Sequence, residues 1–276
     1  MKMTRLPCRL PQGKTPRQKY LARRRNDKIT TVILQIGLLF ALIGIWELAA
    51  KLDLIDPFIT SCPSRIVKML QTIDTSELFT HIAYTLIECI IGFIAASALG
   101  IVIAILLWRF VKLRKVLEPY IVVLNALPKI ALGPIIIIWV GAGAQAIIVM
   151  TILICIIVTV ISVLSAFMSV DEGKILLMRS MGATKLQILL KLVLPANIPA
   201  LVNMLKINVG LAWVGTIMGE YLVSTAGLGY LIIYGSQVFK MDLVMASTVI
   251  LCLLATVMYL AVAGVEKLTK KKYRIE

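Results

Sequence analysis

Few side chains in the long apolar stretches of this 276-residue sequence are able to hold or move a polar solute. Those that are form a short set: Glu88, Asn125, Lys129, Asn203, Lys206, Asn208, Thr216 and Glu220, with Trp213 among them. An ionisable group inside a membrane is costly and marks a functional route by default. A lysine there suits an anion, because its ammonium replaces lost hydration. Asn125, Lys129, Lys206, Asn208, Trp213 and Glu220 are therefore the candidates to line a translocation path, with Lys129, Lys206 and Asn208 foremost. Glu88 has two open readings, a functional carboxylate or the partner of a lysine in a neighbouring span.

Covalent chemistry is poorly represented. The single histidine, His81, lacks a nearby Cys, Asp or second His and reads as structural. The five cysteines (Cys8, Cys62, Cys89, Cys155, Cys252) are scattered with no CxxC pair, so neither a disulfide framework nor a metal site follows. There is no HExxH, and no GxxxxGK[ST] nucleotide loop. The chain is not expected to be an enzyme, to bind a cofactor or to hydrolyse ATP.

The elements that must position these groups are membrane spans. Hydrophobic residues make up 60% of the sequence, and no charged side chain occurs between Lys129 and Asp171. A helical span needs about 20 apolar residues. Six stretches qualify: Thr30–Ala50, Tyr84–Trp108, Pro119–Val140, Gln145–Phe167, Ile198–Glu220 and Val244–Val265. The expected fold is all-α and polytopic, with a basic tail at 1–28, a six-helix domain at 29–265 and a second basic tail at 266–276. The third span is irregular, because Pro128, Gly133 and Pro134 do not fit one smooth lipid-exposed helix. A packing kink at Pro128 and a break lining a wet path are both open. The fourth span is uniformly apolar and is expected to face lipid or a partner, while the fifth is the most polar.

The formal net charge of +15 follows topology rather than nucleic acid. Lys and Arg concentrate in residues 1–28, 109–118, 171–195 and 266–276, which hold 23 of the 29. By the positive-inside rule these segments, and both termini, are cytoplasmic. Attraction to anionic membrane lipid is a secondary consequence, and no nucleic-acid partner is expected.

One of those segments, Asp171–Pro199, is too apolar for a solvated loop. Ile175–Met178 and Met181 form one short apolar group, and Leu186, Leu189, Leu190, Val193 and Leu194 a second at helical spacing. Gly182 separates them where a helix ends, and Pro195 is expected to end the second. Two short helices with so much apolar surface make a docking surface.

At these residues a resemblance becomes specific. Gly182-Ala183 followed by Leu194-Pro195 and a span resembles the cytoplasmic coupling loop of permease subunits in binding-protein-dependent, ATP-driven importers. Ala126-Leu127-Pro128-Lys129, Gly133-Pro134, Trp139-Val140-Gly141, Gly210-Leu211-Ala212-Trp213, Gly219-Glu220 and Gly227-Leu228-Gly229-Tyr230 are similar to the branch that imports sulfonates, taurine, nitrate and pyrimidine precursors. Two positions depart from the pattern: Leu176 replaces the loop's glutamate, and Glu88 stands where an arginine is common. The resemblance implies a type I (MetI-like) permease fold in a prokaryotic inner membrane. It also implies a second permease copy, two ATPase subunits carrying ATP and Mg, and an extracytoplasmic binding protein or lipoprotein. Met178, Gly182, Ala183, Lys185, Leu186, Leu189 and Pro195 would then couple to the ATPase. Leu186, Leu189 and Leu190 would pack the loop back onto the spans, and Lys185 would meet an acidic rim. A non-transporting membrane scaffold and a self-sufficient secondary carrier are the alternatives.

Overall fold

The computed structural model describes residues 16–273. Residues 1–15 and 274–276, the outer parts of the two expected tails, lie outside the described residues. The chain divides into two compact units, the first ending at Ser64 and the second beginning at Arg65.

The first unit holds α1 (Pro16–Lys51) and the four-residue α2 (Pro57–Thr60), and contains the start of α3 (Pro63–Thr72). Residues 16–28, expected as tail, instead continue the first span as helix. Asp56 starts α2 by accepting from the Phe58 N–H, with Pro57 at the first helical position, where its missing donor is harmless. At the other end of α1, Glu47 pairs with Lys51 one turn on (3.3 Å) and accepts from the Ser64 N–H (3.1 Å).

The second unit is a helical bundle built on α4 (Thr75–Arg109). It is followed by α5 (Val111–Ala126), a 3-10 turn (Lys129–Leu132) and α6 (Gly133–Val140). Next come α7 (Ala144–Met168) and a set of short pieces. These are α8 (Glu172–Ser180), α9 (Lys185–Ile188), a π turn (Leu189–Val193) and α10 (Leu194–Ala196). Helices α11 (Ile198–Val223), α12 (Leu228–Gln237) and α13 (Met241–Tyr273) complete the chain.

Among the described residues five helices are long and apolar enough to cross a membrane, and a sixth span results if α5 and the following Lys129–Val140 pair count as one. The six-span all-α expectation is borne out in this form. The third span is broken at Leu127–Pro128 by 91° rather than kinked. Pro128 has no N–H to continue the helix, and the residue before a proline is pushed out of the helical region. Leu127 is accordingly extended (φ −65°, ψ 137°).

Helix α7 packs against both α4 and α11 and forms the middle of the bundle. This corrects the expectation that the uniformly apolar fourth span faces lipid or a partner: Ala146, Ile147, Met150, Cys155, Val163 and Phe167 are buried. The reason is close approach. A Cβ at Gly215 of α11 would lie 2.7 Å from the Thr151 Cα of α7, and one at Gly92 of α4 would lie 2.6 Å from the Thr151 methyl. Only residues without side chains let the three backbones meet there.

Candidate functional site: a coupling segment at one end, a clamped loop at the other

Helix α8 starts at Asp171, whose side chain accepts from the Lys174 N–H (3.1 Å). It ends in a Schellman arrangement: the Gly182 N–H donates to the Arg179 carbonyl (2.9 Å) and the Ala183 N–H to the Met178 carbonyl (3.0 Å). Gly182 is in the left-handed region at φ +81°, where any side chain is strained. Two residues later Thr184 opens α9 through a capping box, accepting from the Gln187 N–H while Gln187 accepts from the Thr184 N–H. The hydrogen bonds that hold the reversal between the two short helices are therefore backbone and capping bonds within the segment.

What faces inward differs from expectation. Ile188, Leu189 and Val193 are buried in a cluster with Ala104, Val163, Phe167 and Met204 of α4, α7 and α11. Of the predicted anchors, Leu189 is there, but Leu186 is 61% exposed and Leu190 55%. The segment includes a π turn, in which the Leu194 N–H reaches back five residues to Leu189. One extra residue in a turn rotates the faces on either side, so Ile188, Leu189 and Val193 align inward. Pro195 does not end the helix. It sits in the first turn of α10, where a missing N–H is tolerated, and the break falls at Asn197 instead.

Met178 and Ala183 rest half-buried against the same cluster, and Pro195 is also half-buried. Lys185 is exposed. Leu176, Leu177 and Met181 are 66%, 61% and 78% exposed. Together with Leu186 and Leu190 they give an outward apolar surface on an inwardly anchored wedge.

The candidate path residues do not converge. Asn125 is exposed, and its carbonyl, freed by the break, accepts from the Lys129 Nζ at 3.2 Å. Lys206 is ion-paired with Glu266 of α13. Asn208 is fully buried, and its Nδ2 donates to Ser97 Oγ (3.1 Å) and Thr159 Oγ1 (2.7 Å). Its amide thus ties α4, α7 and α11 together inside one protomer. Trp213 is buried in the neighbouring cluster with Cys89, Ala96 and Cys155. Sequence alone had no means of assigning these contacts, because the partners Ser97 and Thr159 are unremarkable in an apolar run.

Glu220 belongs to a different structure, at the opposite end of the bundle. It is 1% exposed, and it accepts from the Gly229 N–H through Oε2. Beside it, the His81 Nδ1 accepts from the Gly227 N–H (2.9 Å) and Thr85 Oγ1 from the Leu228 N–H (2.8 Å). Three consecutive backbone donors at the start of α12 are thus clamped onto α4 and α11. Gly227 has φ +116°, and the Tyr230 ring stacks on His81 at 5.9 Å. His81, read as structural, is one of the clamps. Glu88 does not pair with a lysine: its carboxyl reaches the Glu220 carboxyl, and its Oε2 has no partner among the described residues. The signal for this end was the Glu220…Gly227-Leu228-Gly229 spacing, whose meaning needed α4 to be placed beside it.

Residues 96–274 match the family of binding-protein-dependent transport system inner membrane components. The chain belongs to this family. The taurine transport system permease protein TauC of Escherichia coli is 27% identical over 242 residues, covering 86% of this chain and 88% of that one. The formylaminopyrimidine transport permease protein ThiX of Halalkalibacterium halodurans is 32% identical over 191 residues, covering 68% and 75%. Among solved structures, the inward-facing MetNI methionine ABC transporter matches with a TM-score of 0.63 at 24% identity, over 71% of this chain and 97% of that chain. A bacterial alginate ABC transporter gives 0.63 at 14% identity, over 87% and 98%. The permease fold is therefore that of ABC importers, and the family is one of transport components rather than enzymes. The chain is a transport subunit in an inner membrane, the ATPase is a separate subunit, and its partners are of the importer kinds, an ATPase and a substrate-binding protein.

Proposed function

We propose that this permease subunit passes a small polar solute, an anion of the sulfonate, taurine or nitrate type or a pyrimidine precursor, across the membrane between two copies of itself. An extracytoplasmic binding protein delivers the solute, and two ATPase subunits, carrying ATP and Mg, sit beneath Asp171–Pro199. The observation that carries the reading is the wedge. Its outer face of Leu176, Leu177, Met181, Leu186 and Leu190 is apolar and uncovered, while Ile188, Leu189 and Val193 fix it to the spans.

Such a body moves as one piece. Closure of the ATPase pair displaces the wedge, and the buried cluster transmits that displacement to α4, α7 and α11. With Leu176 where a glutamate is usual, contact with the ATPase is apolar at that position. Both termini lie on the ATPase side, in keeping with the basic segments. The solute class rests on the relatives named above.

Two measurements test the proposal. Co-purification with an ATPase subunit, and uptake in proteoliposomes that requires it, are expected; uptake without any ATPase makes the chain a secondary carrier. Thermal-shift screening of the companion binding protein is expected to select a sulfonate, nitrate or pyrimidine precursor.

A further inference from the structure

Beside the wedge lies a cavity of 250 Å³ with an unusual wall. Arg109, at the end of α4, and Arg114, on α5, face it from one side; Arg179 of α8 and Lys185 of α9 face it from the other. Glu172 is the one carboxylate in the lining. None of the four cations is ion-paired with a carboxylate among the described residues. Instead, Arg109 lies over the Phe110 ring (5.6 Å) and Arg114 Nη1 contacts the Met168 sulfur (2.7 Å). The floor is apolar, from Phe167, Met168 and Ile188, and Trp108 completes the rim.

Four cations and one carboxylate lining one concavity give it a net positive field, which favours an anion seated between them. Guanidinium groups favour phosphate oxygens, which they meet two bonds at a time. The cavity is at the end of a membrane-length helix, at a Trp-Arg pair. Trp there marks the headgroup level, and basic pockets between helices suit lipid headgroups. An apolar floor beneath the cations fits the start of an acyl chain. The volume suits one headgroup and is small beside the ~300–1,000 Å³ of drug-sized sites.

We infer that this pocket, formed by the ends of α4 and α5 with the two short helices of the wedge, binds the phosphate headgroup of an anionic membrane lipid. The lipid bridges spans to wedge, so the seating of the coupling surface depends on lipid composition. The inference concerns the same end of the molecule as the coupling reading but needs no ATPase.

The test uses the full-length chain in detergent, with thermal unfolding followed during titration with phosphatidylglycerol, phosphatidylcholine or inorganic phosphate. Phosphatidylglycerol is expected to raise the unfolding midpoint while phosphatidylcholine does not. In Arg114→Gln/Arg179→Gln the apparent affinity is expected to fall roughly tenfold or more, since two charge-assisted contacts are lost. Lys112→Gln removes one positive charge at this end outside the pocket, as Arg179→Gln does within it, and is expected to bind as the wild type does. Should the double variant not fold, Arg179→Gln alone, at an exposed position, gives the same reading. Equal stabilisation by inorganic phosphate overturns a lipid as the source. Equal loss in Lys112→Gln, or no difference between the two lipids, overturns the site. If the lipids have no effect and an added ATPase subunit protects Arg179 from chemical modification, the cluster belongs to a protein contact and the inference fails. Because no arm requires transport, its failure is separate from that of the importer reading.

Discussion

The two ends of the bundle solve opposite problems with similar means. At the wedge end, backbone donors are satisfied locally, by the Schellman turn at Gly182 and the capping box at Thr184, and the apolar side chains are left outside. At the clamped end, the backbone donors of Gly227, Leu228 and Gly229 are satisfied by side chains from other helices, His81, Thr85 and Glu220. Local bonds let a segment keep its shape while moving as a unit. Long-range bonds tie a loop to the helices on which it rests. One end is therefore suited to being pushed, as the proposed coupling role requires, and the other to staying attached.

The largest effect expected from breaking this contrast is at Gly182. Gly182→Leu puts a branched side chain at φ +81°, at a strain of about 1–2 kcal/mol, and misdirects α9. Uptake in proteoliposomes is expected to vanish while membrane insertion stays normal; normal uptake would refute the coupling assignment. Next in size is the clamp. Glu220→Ala leaves the Gly229 N–H buried and unbonded, with an expected loss of about 1–3 kcal/mol in chemical or thermal denaturation. An unchanged midpoint would mean that the clamped end is not the anchored one.

Asn208→Ala removes the amide linking Ser97 and Thr159, and about 0.6–2 kcal/mol is expected to be lost, given what interhelical bonds contribute in membranes. A selective loss of transport at full stability would instead return Asn208 to the path. Leu186→Ser sharpens the other side: at 61% exposure it should leave the unfolding midpoint within roughly 0.5 kcal/mol, yet weaken co-purification with an ATPase. The smallest effect is at Glu47→Gln, where the ion pair to an exposed Lys51 is screened by solvent and thermal unfolding is expected to show an unchanged midpoint.

Much of the architecture was legible because apolar length reports a span directly, and Pro128 and Gly182 report breaks through their own backbone chemistry. Reading outward-facing residues at the wedge failed where periodicity was assumed. Leu186 and Leu190 continue an α-helical pattern that the π turn interrupts, and no residue in Leu189–Val193 announces that turn. The polar residues needed a different kind of information. Polarity in a span predicts that a partner is needed, and Lys206 and Asn208 found theirs within the protomer, in Glu266 and in Ser97 with Thr159. The same rule applied to Glu220 also pointed to a path, while its carboxylate holds a loop.

The π turn at Leu189–Val193 has a further consequence. Because its added residue is taken up without breaking the run of helix into α10, the outward positions on α9 are out of phase with the buried ones that follow. If this face docks an ATPase as proposed, substitutions at Leu186 and Leu190 can accumulate to match a changing partner surface without disturbing Ile188, Leu189 and Val193. The turn separates two selective pressures in one short stretch: partner choice is free to drift on one face while the fit to the membrane body is held on the other.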